Sequence, residues 1–261
     1  MVNDAVISHN SVNELYYLEE VDSTNTWAKA NLDKFGPVGA VYTTSQTAGR
    51  GRRGHTWINA SGQALYYTVV LKTELAQPES LPLFASMAVA DALEQRYGIQ
   101  CQIKWPNDLV GRQADGSFKK LAGILCESRS GERSFAVCGI GINLCQPASF
   151  FEQAGLPDAG SVAQVFYCVP DAYQLLEEIG VHLQNWLLVL KSGPKQLLDA
   201  YSSRCITLGR QVCICREGRM PIEAKAIRID SDGQLVCLTQ KEEVKVRAGE
   251  VSVRGLYGYV E

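Results

Sequence analysis

Near residue 207 the hydrophobic rhythm of this 261-residue chain changes from a mixture of two periods to one. Upstream, β-branched and aromatic runs of period two alternate with segments of helical period. Downstream only short strand-like runs remain, at 211–216, 223–229, 234–239 and 243–246, with Asp232-Gly233 as a hairpin turn signal. Helices with strands in one part and strands alone in the other call for different layer plans, so two units are expected, 1–206 and 207–261. In the first, strands are read at 15–21, 39–44, 64–71, 101–105, 121–127 and 135–141. Helices are read from the capping run Asp22-Ser23-Thr24-Asn25 to about Phe35, from Ser80-Leu81-Pro82 to Gly98, and at 161–166, 170–190 and 194–205. The spacing of Phe84, Met87, Ala88 and Ala92 gives the second of these an apolar stripe. The expected fold class is α+β: a mixed β-sheet flanked by helices, followed by a small β unit.

Composition narrows the class of function. Hydrophobic residues at 46% and charged residues at 20% describe an ordinary globular chain. Apolar runs such as Trp186-Leu187-Leu188-Val189-Leu190 fall far short of the roughly 20 residues that span a bilayer. Residues 1–6 lack the basic-then-apolar pattern of a secretory signal, so a cytoplasmic protein without a membrane partner is expected. The nine cysteines are odd in number and contain no Cys-x-x-Cys pair, which reads as reduced thiols used as small core residues. A net charge of −3 argues against a nucleic-acid partner. Positive charge gathers instead at Arg50, Arg52, Arg53 and His55, which points to a local anion site.

Four segments carry the chemistry. In Gly49-Arg50-Gly51-Arg52-Arg53-Gly54-His55-Thr56-Trp57, glycines free the backbone to form an anion nest and the interleaved arginines add bidentate donors, which suits phosphates or carboxylates. No Gly-Lys-Ser/Thr follows, so this is not a Walker A loop. Lys104-Trp105-Pro106-Asn107-Asp108 ends a strand with a turn and sets a lysine and a carboxylate there. Lys119-Lys120-Leu121-Ala122-Gly123-Ile124-Leu125-Cys126-Glu127 places a lysine at the mouth of an apolar strand whose Gly123 leaves room for a ligand or another backbone. Gly139-Ile140-Gly141-Ile142-Asn143 repeats that arrangement with an amide at its end.

In this order the four segments, with Ser23-Thr24-Asn25 and Gln46 ahead of them, resemble the biotin protein ligases, also called biotin–[acetyl-CoA-carboxylase] ligases, from about Leu15 to Gly255. The resemblance implies the class II synthetase-like catalytic fold of the biotin and lipoate ligases with a small SH3-like β-barrel behind it. It implies activation of biotin by ATP to biotinyl-5′-AMP with release of pyrophosphate, then transfer to one lysine of a biotin carboxyl carrier protein or domain. A lipoate or octanoate ligase or transferase shares the fold but lacks this arginine–glycine loop. A non-catalytic biotin-sensing repressor is the other alternative. Repressor members of the family carry a helix-turn-helix domain ahead of the catalytic body, whereas here residues 1–14 alone precede the first predicted strand, so DNA binding is not implied. A monomer or a homodimer fits.

Matched position by position, the resemblance assigns biotin to Ser23, Thr24, Asn25, Gln46, Gly49, Arg50, Gly51, Arg52, Lys120, Gly123, Gly139 and Gly141, the last three as the slot for its ring and chain. It assigns ATP to Arg50, Arg52, Arg53, Trp57, Lys104, Asn107, Asp108, Lys120 and Asn143. Lys120, Arg52 and Asp108 are the expected catalytic set, with Asp108 the candidate for Mg²⁺, a hard cation that prefers carboxylate and phosphate oxygens. The stretch after Asn143, through Pro147, Phe150 and Phe151 to Pro157, matches no family motif, so the adenine contact stays open.

Overall fold

The computed structural model describes residues 5–7, 14–72, 80–132, 134–216, 218–248 and 252–254. Gly255, where the family resemblance ends, and the outer ends of the two expected units lie outside them. In chain order the elements are β1 (Ala5–Ile7), β2 (Glu14–Tyr17), α1 (Thr24–Ala30), β3 (Val38–Thr43), β4 (Ala64–Leu71), α2 (Leu81–Tyr97), β5 (Gln102–Lys104), β6 (Asp108–Arg112), β7 (Phe118–Arg129) and β8 (Phe135–Asn143). Then come α3 (Ala148–Gln153), α4 (Val162–Phe166), α5 (Ala172–Ser192), α6 (Lys195–Arg204), β9 (Gln211–Cys215), β10 (Ile222–Ile229), β11 (Leu235–Leu238), β12 (Glu243–Val246) and β13 (Ser252–Arg254).

The first eight strands form one mixed sheet in the order β1-β2-β3-β4-β8-β7-β6-β5, parallel between β2 and β3 and antiparallel elsewhere. All eight residues of β4 are buried, because helices cover both faces of the sheet at its centre. Leu65, Tyr67, Val69 and Leu71 pack into the large core with α2, while Val70 joins Ala28 of α1, Val41 and Val137 on the opposite face. The expected stripe on α2 is a full circumference: from Leu81 to Leu93 all but Pro82 and Asp91 are buried, since this helix lies between the sheet and the α5–α6 pair. It ends where expected, with Gly98 left-handed at φ 69°.

Two element ends are corrected, the first being the helix read to about Phe35, which stops at Ala30 with a separate 3-10 turn at Leu32–Lys34 after it. The strand expected at 15–21 ends at Tyr17, after which the exposed Glu19-Glu20 pair bends the chain and Val21 forms a lone parallel bridge to Gln46. The segment 104–108 is the tip of a hairpin, since β6 returns beside β5 after a turn with a cis Trp105–Pro106 bond. Gly111, which disguised β6 as irregular text, is there because a Cβ would come within 2.7–2.9 Å of Phe166, Leu121 and Val165 side chains. A bulge between β6 and β7 follows, where the register shifts at Leu109/Val110 and Lys120 stands beside it. The helix α3 was not anticipated either.

Behind this body, β9 to β13 make a five-stranded antiparallel sheet in the order β12-β11-β10-β9-β13. Its β10–β11 turn, with Gly233 at φ 77°, reaches the body: the fully buried Trp105 donates from Nε1 to the Gly233 carbonyl at 3.2 Å. The nine cysteines are free thiols. No helix among the described residues is long and apolar enough to cross a membrane.

Candidate functional site

The site is a cavity of about 620 Å³ over the β7–β8 strand pair, walled by the start of α1, the arginine–glycine loop, the β5–β6 tip and residues 150–159. Every residue assigned from the sequence lines it except Gly49. Gly49 lies behind the loop, where a Cβ would come within 2.5 Å of the Trp57 carbonyl.

One end is built from buried hydrogen-bonding side chains. Ser23 occupies the N-cap position of α1 but makes no side-chain cap bond. Thr24 donates its backbone N–H (2.8 Å) and its hydroxyl (3.0 Å) to Gln46 Oε1. Asn25 donates from Nδ2 to the Leu125 carbonyl and to Glu127 Oε2, both at 3.1 Å, and its Oδ1 accepts from Thr68 at 2.7 Å. Gly139 is needed beneath it, since a Cβ there would lie 2.3 Å from Asn25 Oδ1.

The arginine–glycine loop is a tight ribbon. The N–H groups of Gly51 and Trp57 donate to His55 and Gly49 carbonyls, and His55 N–H donates to Arg52, so these three donors are taken up inside the loop. The side chains add positive charge. Arg52 folds inward, with Nη1 donating to Asn107 Oδ1 at 2.7 Å and Nη2 buried with no hydrogen-bond partner. Burial lowers its pKa, and the nearby Asp108 opposes that shift. Arg50 leans toward Glu127 at 3.9 Å, and Arg53 sits on the rim with φ 55°.

Trp57 lies across the strand pair that floors the cavity. Its indole lies over Gly123 and Gly141, where added Cβ atoms would meet the ring at 2.7 and 3.0 Å, so these glycines hold a floor for Trp57. Tyr66, on the same cavity wall, is a buried phenol whose pKa burial raises; its hydroxyl donates to Asn59 Oδ1 at 3.3 Å.

The other end is charged. Lys120 Nζ pairs with Asp108 Oδ1 at 2.7 Å and stands 5.5 Å from the Trp57 ring centroid. Its backbone is fixed by hydrogen bonds with Asp158 and Gly160. Lys104 is buried at the β5–β6 tip, and Asn107 donates to the Ile124 carbonyl at 2.7 Å. Asn143 donates to the Gly160 carbonyl and accepts from Gln146, which orients its amide at the end of β8. Phe150, Phe151, Leu156 and Pro157 supply the apolar wall there. Among the described residues no three His, Cys, Asp or Glu side chains gather as a metal cluster. Of the two carboxylates that line the cavity, Asp108 and Asp158, the one beside Lys120, Asp108, fits a Mg²⁺ held chiefly by phosphate oxygens.

Residues 17–143 match the biotin/lipoate A/B protein ligase family. The chain is 31% identical to the biotin–[acetyl-CoA-carboxylase] ligase of Paracoccus denitrificans, over 91% of this chain and 100% of that protein. The chain belongs to the biotin protein ligase family. The like-named ligase of Mycobacterium tuberculosis is 30% identical over 79% of this chain and 75% of its own length. Among solved structures, the biotin protein ligase from Aquifex aeolicus in complex with biotin and ATP superposes with a TM-score of 0.76 at 27% identity, over 92% of this ligase and 98% of that chain.

Three residues of this ligase site were not singled out from its sequence. Thr68 and Tyr66 are two of the polar groups in the otherwise apolar β4, a signal that was present. Glu127 stands at the end of an apolar run, and only the fold shows Asn25, Lys29 and Arg50 around it.

Proposed function

We infer that this chain is a biotin protein ligase that activates biotin with ATP and passes the biotinyl group to a lysine of a biotin carboxyl carrier protein or domain. One observation carries the residue assignment: the buried Arg52 guanidinium has one arm fixed on Asn107 and an unpartnered Nη2, beside the Lys120–Asp108 pair in the same cavity. A buried cationic donor without an acceptor is costly unless an anionic ligand group completes it.

In the first step a carboxylate oxygen of biotin attacks the α-phosphorus of ATP and pyrophosphate leaves. Lys120 neutralises the approaching carboxylate and α-phosphate, and Arg52 donates to the same oxygens. Mg²⁺, with Asp108 as its protein ligand, supplies neutralisation of the phosphate charge when bound. In the second step the carrier lysine amine attacks the acyl carbon, AMP leaves and an amide forms. Ser23, Thr24, Asn25 and Gln46 hold the ureido end. Lys104, Asn107 and Asn143 face the nucleotide, with the apolar wall at Phe150, Phe151, Leu156 and Pro157 beside them. Residues 1–206 form the catalytic domain and 207–261 the small β domain, and the ligase works in the cytoplasm.

The test is exchange of labelled pyrophosphate into ATP. Exchange is expected with biotin and absent with lipoate, and the reverse pattern would overturn the reading.

A further inference from the structure

We propose that Glu127 is a positioning residue for biotin: together with the Leu125 carbonyl, its carboxylate fixes which way the hydrogen bonds point in the buried chain that meets the ureido group. The proposal rests on the ligase reading above. Glu127 ends the apolar run of β7 and receives three groups from two elements: Asn25 Nδ2 at 3.1 Å and Lys29 Nζ at 2.6 Å from α1, and Arg50 Nη1 at 3.9 Å from the arginine–glycine loop. These neighbours overcome the cost of desolvation and hold its carboxyl below the usual carboxylate range.

Proton bookkeeping gives the consequence. A carboxylate and the Leu125 carbonyl can only accept, so the Asn25 atom facing both must be its NH₂ group. Asn25 Oδ1 then faces Thr68 and can only accept, which commits the single Thr68 proton to it at 2.7 Å. The 2.8 Å contact between the Thr68 and Thr24 hydroxyls consequently needs the Thr24 proton, which Thr24 shares with Gln46 Oε1 at 3.0 Å. Thr24 is left with lone pairs to offer, and Gln46, whose Oε1 is occupied by Thr24 N–H and hydroxyl, is left with its NH₂. A ureido group presents N–H donors and a carbonyl acceptor, so acceptor Thr24 and donor Gln46 are the complementary set. Thr68 is fully buried, so no solvent reverses the chain from its middle. Arg50 ties the arginine–glycine loop to the same carboxylate.

Glu127→Gln keeps the size but presents either end of an amide to Asn25 and removes the charge that holds Lys29 and Arg50, so the Leu125 carbonyl alone is left to orient Asn25 and the groups beyond it. Thr68→Val breaks the same chain without changing charge. Steady-state biotin-dependent pyrophosphate exchange measures both. Expected for each variant is a biotin KM raised at least about tenfold, the scale of one lost hydrogen bond to a charged group. The KM for ATP and the kcat at saturating biotin should stay within about twofold of wild type, on the same energy scale. Desthiobiotin, which keeps the ureido group but has no thioether ring, should show the same proportional rise. An unchanged biotin KM in both variants, or equal losses for biotin and ATP, would overturn the proposal. Absence of exchange in the wild type would instead defeat the ligase reading itself.

Discussion

At the scale of single residues, the Lys120–Asp108 pair shows how the site stores its charge. At 2.7 Å and with both side chains partly exposed, this ion pair adds little to stability, so its value lies in keeping an ammonium group at the centre of the cavity. When two anions converge there, the lysine matters most as they approach and negative charge gathers on the pentacoordinate phosphorus. Lys120→Ala should therefore lower the rate of adenylate formation by about 100–1,000-fold. Biotin affinity, measured by calorimetry without ATP, should change far less. Near-normal adenylation would reduce Lys120 to a solvated strand-end charge. Glu127 gives a second prediction at this scale. Its folded pKa lies below the ordinary 4.5, so its contribution is complete above 4.5 and is lost as pH falls through the folded value. Denaturant melts across the acid range should show wild type losing stability more steeply than Glu127→Gln below that point. Parallel slopes would show that the carboxylate makes no net contribution to folding.

At the scale of elements, the arginine–glycine loop was legible as a turning segment of concentrated positive charge, but its closure was not. Which of its backbone N–H groups pair inside the loop, those of Gly51, His55 and Trp57, shows only in the fold. Contacts between distant segments decide such matters. The same reason hid β6, whose Gly111 reads as a break until α4 is seen against it, and Glu127, whose partners come from α1 and the loop. Elements whose own residues dictate burial, such as β4 and α2, were placed almost to the residue. The loop also carries a prediction. Biotinyl-AMP is an activated acyl group that must be held away from water until the carrier lysine arrives, and Arg52 closes the loop onto Asn107 at 2.7 Å. Arg52→Gly removes this contact and adds backbone freedom, so the adenylate should form but escape. Incubation with biotin, ATP, Mg²⁺ and serum albumin, followed by a biotin blot, should show albumin labelled by the variant and not by wild type. Equal labelling would show that Arg52 does not retain the intermediate.

At the scale of the whole molecule, the second sheet is coupled to the site through one turn. Trp105 lines the cavity, its indole donates to the Gly233 carbonyl at 3.2 Å, and its backbone N–H donates to Thr207 Oγ1 at 3.0 Å. The β10–β11 turn thus fixes the hairpin tip that carries Lys104, Asn107 and Asp108. Gly233 can do this because φ 77° suits glycine and because its side-chain position faces Leu83 and Ser80 at 3.3 Å. Gly233→Val should both strain the turn and push it from α2, costing about 1–3 kcal/mol in a denaturant melt. Gly218 supplies the control within the same sheet: its φ is 67° and nothing lies within 4 Å of an added Cβ. Gly218→Val should cost a similar strain yet leave catalysis alone. If the turn positions the nucleotide end of the cavity, Gly233→Val should raise the KM for ATP while the biotin KM stays near wild type, and Gly218→Val should move neither. An identical kinetic profile for the two variants would mean that the second sheet contributes stability without positioning the site.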